Sequence, residues 1–241
     1  MARATPPLPP LARAALLLDL DGTLLDIAAT PESVVVPPGL IVSLRGLRAR
    51  LGGALAVVSG RPVEQVEALL PDAIRAIAGE HGGAIRFAPG DLLERLDVPA
   101  PPEAWFAAGA RIVAAHPGAA MERKAHGFVL HYRAVPSLGP VLGEAMLGLT
   151  EGSDRFVILQ ARKAWELRPR GADKGTAVGA LMQRVPFAGR VPVFIGDDVT
   201  DEDGMAAARR LGGVGLRVAE AFRTPAGVRA WLHAAAVDGA W

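Results

Sequence analysis

Two aspartates separated by a single residue, Asp19 and Asp21, directly follow the apolar run 14–18. Carboxylates this close together repel each other unless a cation, a proton or hydrogen-bond donors compensate them. A hard divalent cation such as Mg²⁺ prefers carboxylate oxygens and water, and Asp197, which follows another apolar run, can supply a further ligand. With the charge of an incoming phosphate neutralised, one carboxylate can act as a nucleophile and the other as a general acid and base. The simpler alternative for Asp19 is a turn or cap residue.

Groups that can bind an anion stand at two further places. Ser59 and Gly60 follow the apolar run 54–58, where a hydroxyl and backbone N–H groups can meet an anion, although an isolated serine there is commonly a turn or cap residue. Lys174 is one of only three lysines among 26 basic residues and stands at the start of a predicted helix. It can therefore act as a phosphate clamp, the alternative being a solvated helix residue.

The acidic run 196–203 contains more carboxylates than a single metal site requires. We expect Asp197 to be a metal ligand, and Asp198 and Asp201 to support it or to lie at the start of the next helix. Thr200 and Asp201 are also residue types that cap helices.

Short apolar runs alternate with helix-period segments in the first and last parts of the chain. This alternation predicts right-handed βαβ units and a parallel sheet, with ligands bound at the carboxyl ends of its strands. The predicted strands are 14–18, 54–58, 73–78, 191–195 and 213–218. The predicted helices are 37–51, 63–70, 173–182, 202–210 and 225–236.

The middle of the chain has a different pattern, because its strands come in pairs separated by short turns. Such hairpins predict a small antiparallel α+β unit inserted into the parallel domain. We expect a discontinuous catalytic core of residues 1–86 and 168–241 and a cap domain of residues 87–167. The predicted elements of the cap are helices 105–115 and 135–150 and strands 121–124, 128–133, 156–160 and 164–167.

Composition excludes several classes of protein. The 241 residues are 51% hydrophobic and 21% charged, which predicts a globular protein, and the net charge of +1 does not favour nucleic acid or an anionic membrane as a partner. No run approaches the ~18 apolar residues of a membrane helix. Without cysteine, any metal must be bound by oxygen or by histidine. We expect an unprocessed, cytoplasmic, monomeric protein with a small-molecule substrate.

Four segments, in order, resemble the motifs of the haloacid-dehalogenase superfamily. They are DLDGT at 19–23, Ser59, Lys174 and GDDVTDED at 196–203, and the inserted unit lies where that superfamily places a type 2 cap. The resemblance implies an α/β fold with a Rossmann-like parallel-sheet core and an inserted α+β cap domain.

The same resemblance implies a Mg²⁺-dependent phosphatase and a role for each motif residue. Asp19 would attack phosphorus to form an aspartyl-phosphate, and Asp21 would protonate the leaving alcohol and then activate water. Mg²⁺ would be bound by Asp19, by the backbone carbonyl of Asp21 and by Asp197. The phosphoryl oxygens would be held by Gly22, Thr23, Ser59, Gly60 and Lys174.

Four further details resemble trehalose-6-phosphate phosphatases, namely VVSGRP at 57–62, GEHG at 79–82, HYR at 131–133 and ELRPRGADKG at 166–175. This resemblance implies a disaccharide phosphate as the substrate, contacted by Lys124, His131, Arg133 and Glu166. Strand alternation places His131 and Arg133 on one face of their predicted strand.

Other interpretations of the same residues stay open. Lys124 and Arg133 can form ordinary exposed ion pairs, worth under ~1 kcal/mol, and His131 can be structural. His81 is expected to order a loop rather than to act in catalysis. Alternative functions are a capped phosphatase for another sugar phosphate, such as sucrose phosphate or mannosylglycerate phosphate, or a catalytically silent sugar-phosphate sensor. The intact set of motif residues argues against a sensor.

Overall fold

The computed structural model describes residues 7–28, 30, 33–124, 126–161, 163–239 and 241. In chain order the strands are β1 Ala14–Leu18, β2 Leu55–Val58, β3 Ala76–Gly79, β4 Ala84–Arg86, β5 Glu94–Arg95, β6 Ala120–Lys124, β7 Gly127–His131, β8 Phe156–Ala161, β9 Ala164–Pro169, β10 Val191–Gly196 and β11 Val214–Arg217. The α-helices are α1 Leu40–Arg50, α2 Val63–Leu69, α3 Glu103–Ala115, α4 Gly139–Leu149, α5 Lys174–Met182, α6 Asp201–Arg210, α7 Val218–Ala221 and α8 Pro225–Asp238.

The chain divides into two compact units, Met1–Leu96 with Asp173–Trp241, and Asp97–Ala172. The boundaries expected from the sequence, after residues 86 and 167, lie ten and five residues earlier than those of the compact units. Backbone pairing explains both differences. Strand β5 pairs with β4 and so belongs to the first unit, whereas β9 continues to Pro169, where it pairs with Phe156 of the second unit.

The first unit is a parallel α/β structure with an antiparallel extension. Within its described residues the sheet order is β11-β10-β1-β2-β3-β4-β5. Strands β11 to β3 pair in parallel, and β4 and β5 continue the sheet in antiparallel orientation. Strands β4 and β5 have no counterpart among the predicted strands, because runs of two or three residues carry too little periodicity to be detected.

Alternating side chains of β1 enter two separate hydrophobic clusters, one on each face of this sheet. Leu16 and Leu18 pack with residues of α1, α2 and α8, whereas Ala15 and Leu17 pack with residues of α5 and α6. The strand is completely buried, as a central strand covered on both faces must be. Packing on both faces of β1 therefore fixes the backbone position of the strand end from which Asp19 and Asp21 follow.

The second unit contains a four-stranded antiparallel sheet within its described residues, in the order β6-β7-β9-β8. Helices α3 and α4 pack through apolar side chains such as Phe106 and Leu142 onto a cluster that includes Phe128, Leu130 and Leu167. This architecture confirms the expected fold class, a parallel α/β domain with an inserted α+β unit.

Most element boundaries in the second unit lie within two residues of the prediction, and two differences affect the interpretation or are larger. Strand β7 ends at His131, so the exposed Arg133 lies beyond it, and strand alternation no longer places these two residues on one face. Helix α4 begins at Gly139 rather than at residue 135, because residues 136–138 form a 3-10 turn that starts at a proline. None of the helices in the described residues has the length and apolar composition needed to cross a bilayer.

Candidate active site

Three of the predicted site residues directly follow neighbouring strands of the sheet: Asp19 follows β1, Ser59 follows β2 and Asp197 follows β10. The N–H group of Asp19 donates to the carbonyl of Ile195 (2.9 Å), and the N–H group of Ser59 donates to the carbonyl of Ala78 (2.8 Å). Parallel pairing thus continues one residue beyond β1 and β2. Because β10, β1 and β2 are adjacent and parallel, the residues that follow them lie at one edge of the sheet.

Lys174 joins two of the acidic segments. Its Nζ donates to Asp19 Oδ1 at 2.6 Å and to Asp201 Oδ1 at 2.5 Å, and all three side chains are buried. The lysine is the first residue of α5, where Asp173 caps the helix by accepting the N–H group of Thr176 at 2.8 Å. The predicted helix start therefore places the ammonium group between two carboxylates.

Asp201 organises the loop that precedes its own helix. Its Oδ2 accepts the N–H groups of Asp197 and Asp198, both at 2.9 Å. Thr200 makes no side-chain capping bond to α6. Thr200 does occupy the N-cap position of α6, but Asp201 is the first residue of the helix, and neither side chain makes the expected capping bond. The Asp201 side chain instead holds the backbone of the residues from which Asp197 projects.

Asp19, Asp197 and Asp201 form a cluster of the kind that binds a cation. One carboxylate oxygen of each lies within 4.8 Å of the others. Asp201 uses both oxygens in the bonds described above, but within the described residues neither Asp19 Oδ2 nor Asp197 Oδ1, both buried, has a hydrogen-bond partner. Buried carboxylate oxygens are normally hydrogen-bonded or coordinate a metal, so these two atoms fit a hard divalent cation.

The charge balance of this cluster also fits a divalent cation. If all three carboxylates were ionised, they and the one ammonium group would leave two negative charges in this site, which a divalent cation would neutralise. Burial and the nearby charge of Asp201 raise the pKa of Asp19 to about 8, against the opposing effect of Lys174. Burial and the charges of Asp201 and Asp198 raise the pKa of Asp197 to about 6. Burial alone would lower the pKa of Lys174, but the charges of Asp19 and Asp201 outweigh it and raise the pKa.

Gly22 brings the first and last motifs into contact. It has a φ angle of +89°, and a Cβ atom added there would overlap the carboxylate of Asp197. Both facts require glycine at this position. The Thr23 hydroxyl is buried in the same turn and has no hydrogen-bond partner among the described residues.

The segment after β2 supplies Ser59, Gly60 and an arginine that the sequence analysis did not include among the site residues. Ser59 is buried, and its Oγ accepts the N–H group of Arg61 at 3.1 Å. The Arg61 side chain donates from Nε to Asp21 Oδ2 at 2.6 Å and from Nη2 to Asp21 Oδ1 at 2.7 Å. The structure therefore pairs the predicted acid–base residue with a guanidinium group through both of its oxygens.

The predicted sugar-contacting residues lie in the second unit. Lys124 Nζ donates to Glu166 Oε1 at 2.9 Å, and His131 Nε2 lies 3.0 Å from Glu122 Oε2. The register pairs Val129 with both Glu122 and Glu166, and in antiparallel strands directly paired residues share a face. This sheet face therefore carries both charged pairs, whereas the opposite face packs against the helices.

A family model described as trehalose-phosphatase matches residues 17–225. This protein belongs to the trehalose-phosphatase family. The match includes every predicted site residue in both units, from Asp19 to Asp201.

Two curated relatives agree with this assignment. The chain is 37% identical to a trehalose-6-phosphate phosphatase of Escherichia coli, over 86% of this chain and 78% of the relative. It is 40% identical to a probable trehalose-phosphate phosphatase of Sinorhizobium fredii, over 85% of this chain and 77% of the relative.

The fold has solved counterparts. The C-terminal domain of a Candida albicans trehalose-6-phosphate phosphatase superposes with a TM-score of 0.79 at 20% identity, covering 93% of this chain and 92% of that one. At this identity the likeness is evidence for the fold, which the two-unit architecture already shows.

Arg61 was missed as a site residue although a signal for it was present. It follows Ser59 and Gly60 within the segment VVSGRP, directly beyond a buried strand. Arginine at a strand end is also a common surface residue, and only the positions of β1 and β2 show that it reaches Asp21.

Proposed function

We propose that this protein is a Mg²⁺-dependent phosphatase that hydrolyses trehalose 6-phosphate to trehalose and inorganic phosphate. The observation that carries the chemistry is the buried cluster in which Lys174 binds Asp19, while one oxygen each of Asp19 and Asp197 is left available for a cation. Membership of the trehalose-phosphatase family supports the choice of substrate.

In the first half of the reaction, the carboxylate of Asp19 attacks the phosphorus atom. A P–O bond to Asp19 forms as the P–O bond to the sugar breaks, and Asp21 donates its proton to the departing sugar oxygen. The hydroxyl of Ser59, the ammonium of Lys174 and the turn at Gly22 and Thr23 bind the phosphoryl oxygens. The backbone N–H group of Gly60 is a further proposed donor to the phosphoryl group, while the His81 imidazole fills the space that a side chain at Gly60 would occupy.

In the second half, water attacks the phosphorus atom of the aspartyl-phosphate. Asp21, now a carboxylate, accepts a proton from that water, and the P–O bond to Asp19 breaks to release phosphate. The enzyme returns to its starting state with no net change in protons or electrons on its side chains.

The side chains of Asp19 and Asp197 and the backbone carbonyl of Asp21 are the proposed metal ligands. A bound Mg²⁺ would neutralise phosphate charge and so let one anion approach another. Asp201 and Asp198 support the site, Asp201 by holding the backbone N–H groups of Asp197 and Asp198.

The sugar is proposed to be recognised by Lys124, His131, Arg133 and Glu166. Charged groups that form several hydrogen bonds can replace the water around a disaccharide, and they reject an analogue that leaves them unpaired. The Lys124–Glu166 hydrogen bond supports this proposal, because it places two of these groups within reach of one sugar ring.

A phosphate-release panel tests the proposed function. Purified protein with Mg²⁺ is assayed on trehalose 6-phosphate, sucrose 6-phosphate, mannosylglycerate phosphate and glucose 6-phosphate, with Asp19→Asn as the background control. We expect the highest kcat/KM on trehalose 6-phosphate. Comparable or faster hydrolysis of another ester would reject the substrate, and no release from any ester would reject the phosphatase itself.

A further inference from the structure

We propose that Arg61 is a positioning residue for Asp21, holding the acid–base carboxylate in its working orientation without itself binding the phosphoryl group. The inference rests on the proposed phosphatase function. It starts from the paired contacts between the two side chains, at 2.6 and 2.7 Å, which join residues 40 positions apart in the chain.

The contact between Arg61 and Asp21 is bidentate, because two guanidinium N–H groups bind the two carboxylate oxygens. Two parallel N–H···O bonds from a planar guanidinium restrict both the position and the rotation of the carboxylate group. The Arg61 side chain is 13% exposed and that of Asp21 is 34% exposed, so this pair is more constrained than a mobile surface ion pair.

Arg61 is itself held by its backbone on both sides. Its N–H group donates to Ser59 Oγ at 3.1 Å, and its carbonyl accepts the N–H group of Glu80 at 3.0 Å. The N–H group of His81 donates to the carbonyl of Ser59 at 2.9 Å. The loop after β3 thus forms backbone hydrogen bonds with both Ser59 and Arg61, the first and last residues of the segment 59–61.

Two residues of this loop, Glu80 and His81, have a backbone conformation that non-glycine residues seldom adopt. Their φ angles are +53° and +57°. The conformation brings the imidazole of His81 against Gly60, where an added Cβ would lie 2.6 Å from Nε2. The Glu80 side chain is anchored by Arg95 at 3.0 Å. The imidazole of His81 therefore packs against the segment that carries Ser59 and Arg61.

A general acid must lie within hydrogen-bond reach of the oxygen that it protonates, and a displacement of about 1 Å can cost ~10²-fold in rate. Asp21 stands in the turn between Asp19 and Gly22, and its side chain must be directed toward the leaving oxygen. Arg61 supplies that direction from a separate, rigid segment. It acts through Asp21, so its effect should depend on how much the leaving group needs a proton.

The experiment compares two phosphate esters that differ in this need. The sugar oxygen of trehalose 6-phosphate must be protonated as it leaves, whereas the nitrophenolate of p-nitrophenyl phosphate leaves without a proton. The measured quantity is kcat/KM, which covers the steps through departure of the leaving group and excludes hydrolysis of the aspartyl-phosphate. Arg61→Lys keeps the positive charge and removes the planar pair of donors.

The matched control is Arg184→Lys. Arg184 also makes a paired contact, from its two Nη atoms to Glu94 at 2.7 and 2.9 Å, at the surface of the same unit, and neither residue belongs to the proposed site. We expect Arg184→Lys to retain wild-type kcat/KM on both esters. Arg61→Lys should lose roughly 10- to 100-fold on trehalose 6-phosphate and less than about threefold on p-nitrophenyl phosphate.

A double-mutant cycle with Asp21→Asn provides a second measurement that does not depend on the aryl ester. If Arg61 acts through Asp21, adding Arg61→Lys to Asp21→Asn should change kcat/KM on the sugar ester by less than about twofold. Independent, multiplying losses would overturn the inference, as would equal losses of Arg61→Lys on both esters, because they would indicate a contact with the phosphoryl group. Wild-type activity of Arg61→Lys would overturn it as well.

The outcome for the proposed function is separate. A wild-type protein that hydrolyses neither ester overturns the phosphatase assignment and this inference together. An active wild type with parallel losses in Arg61→Lys overturns the positioning role alone.

Discussion

Lys174 Nζ lies 2.6 Å from Asp19 Oδ1, although the two residues are 155 positions apart in the chain. In the sequence, the proposed nucleophile lies before the inserted unit, at the end of β1, and the lysine that binds it lies after that unit, at the start of α5. Since both side chains are buried, the contact is part of the folded core as well as of the proposed site.

Asp19→Asn should abolish turnover and leave the fold intact. The amide cannot attack phosphorus, so we expect a loss of at least ~10³-fold in kcat for trehalose 6-phosphate, measured by phosphate release. The metal-free variant should melt no lower than the metal-free wild type, because asparagine removes a buried charge from a cluster with an excess of carboxylates. Retained turnover would show that Asp19 is not the nucleophile.

Lys174→Met should damage both stability and activity. It leaves the carboxylates of Asp19 and Asp201 buried without their shared cation, which should cost roughly 3–5 kcal/mol of unfolding free energy in urea denaturation. The control Lys163→Met changes an exposed lysine and should cost under ~0.5 kcal/mol. Equal costs for the two variants would contradict a buried ion-pair role for Lys174.

The stability of the metal-free protein should fall as pH rises from mildly acidic to mildly basic. The folded-state pKa values of Asp19 and Asp197, about 8 and about 6, exceed the ordinary value of 3.8, so between those values the folded state binds more protons than the unfolded state. Ionisation of these groups is therefore unfavourable in the folded protein, and the unfolding free energy decreases through this window.

Melting temperatures measured in EDTA at about pH 5.5 and about pH 8.5 test this sign. Saturating Mg²⁺ should raise the melting temperature more at the higher pH, because the ion binds the ionised carboxylates. Asp197→Asn should reduce the Mg²⁺ effect. A metal-free protein that becomes more stable across the same window would contradict the raised pKa values.

Gly22→Ala should disrupt the site through a clash that a matched glycine lacks. Gly22 and Gly39 have similar φ angles, +89° and +82°, but an added Cβ would overlap the Asp197 carboxylate at the first and meet nothing within 4 Å at the second. Both alanines carry a similar backbone strain of about 1 kcal/mol. We expect Gly22→Ala alone to raise the Mg²⁺ concentration needed for half-maximal activity. Equal effects of the two variants would mean that backbone strain is the whole cause.

Lys124→Ala should separate sugar recognition from phosphate chemistry. The variant removes the ammonium group proposed to contact the sugar, and it also removes the hydrogen bond that this group donates to the buried Glu166 carboxylate. KM for trehalose 6-phosphate should therefore rise roughly tenfold or more. The kcat/KM for p-nitrophenyl phosphate, which carries no sugar, should stay within about threefold of wild type. Arg123→Ala, which changes an exposed neighbour that pairs with Glu103, serves as the control. Equal losses on both esters would argue against a sugar contact.

Local sequence patterns were sufficient to predict the parallel domain, the inserted unit and the residues at the strand ends. Apolar runs such as 14–18 and the helix start at Lys174 are local patterns, and hydrophobic periodicity and capping act over a few residues. The motif residues Asp19, Ser59 and Asp197 could be located because parallel strands place their carboxyl ends at one edge of a sheet.

The pairing of the charged groups, in contrast, could not be predicted without the fold. The side chain of Asp201 suited a helix cap equally well until the fold brought it to Lys174 and to the loop before α6. Arg61 could have faced solvent until β2 was placed beside β1, within reach of Asp21. An ion pair depends on the distance between segments that are remote in sequence, and no local pattern contains that distance.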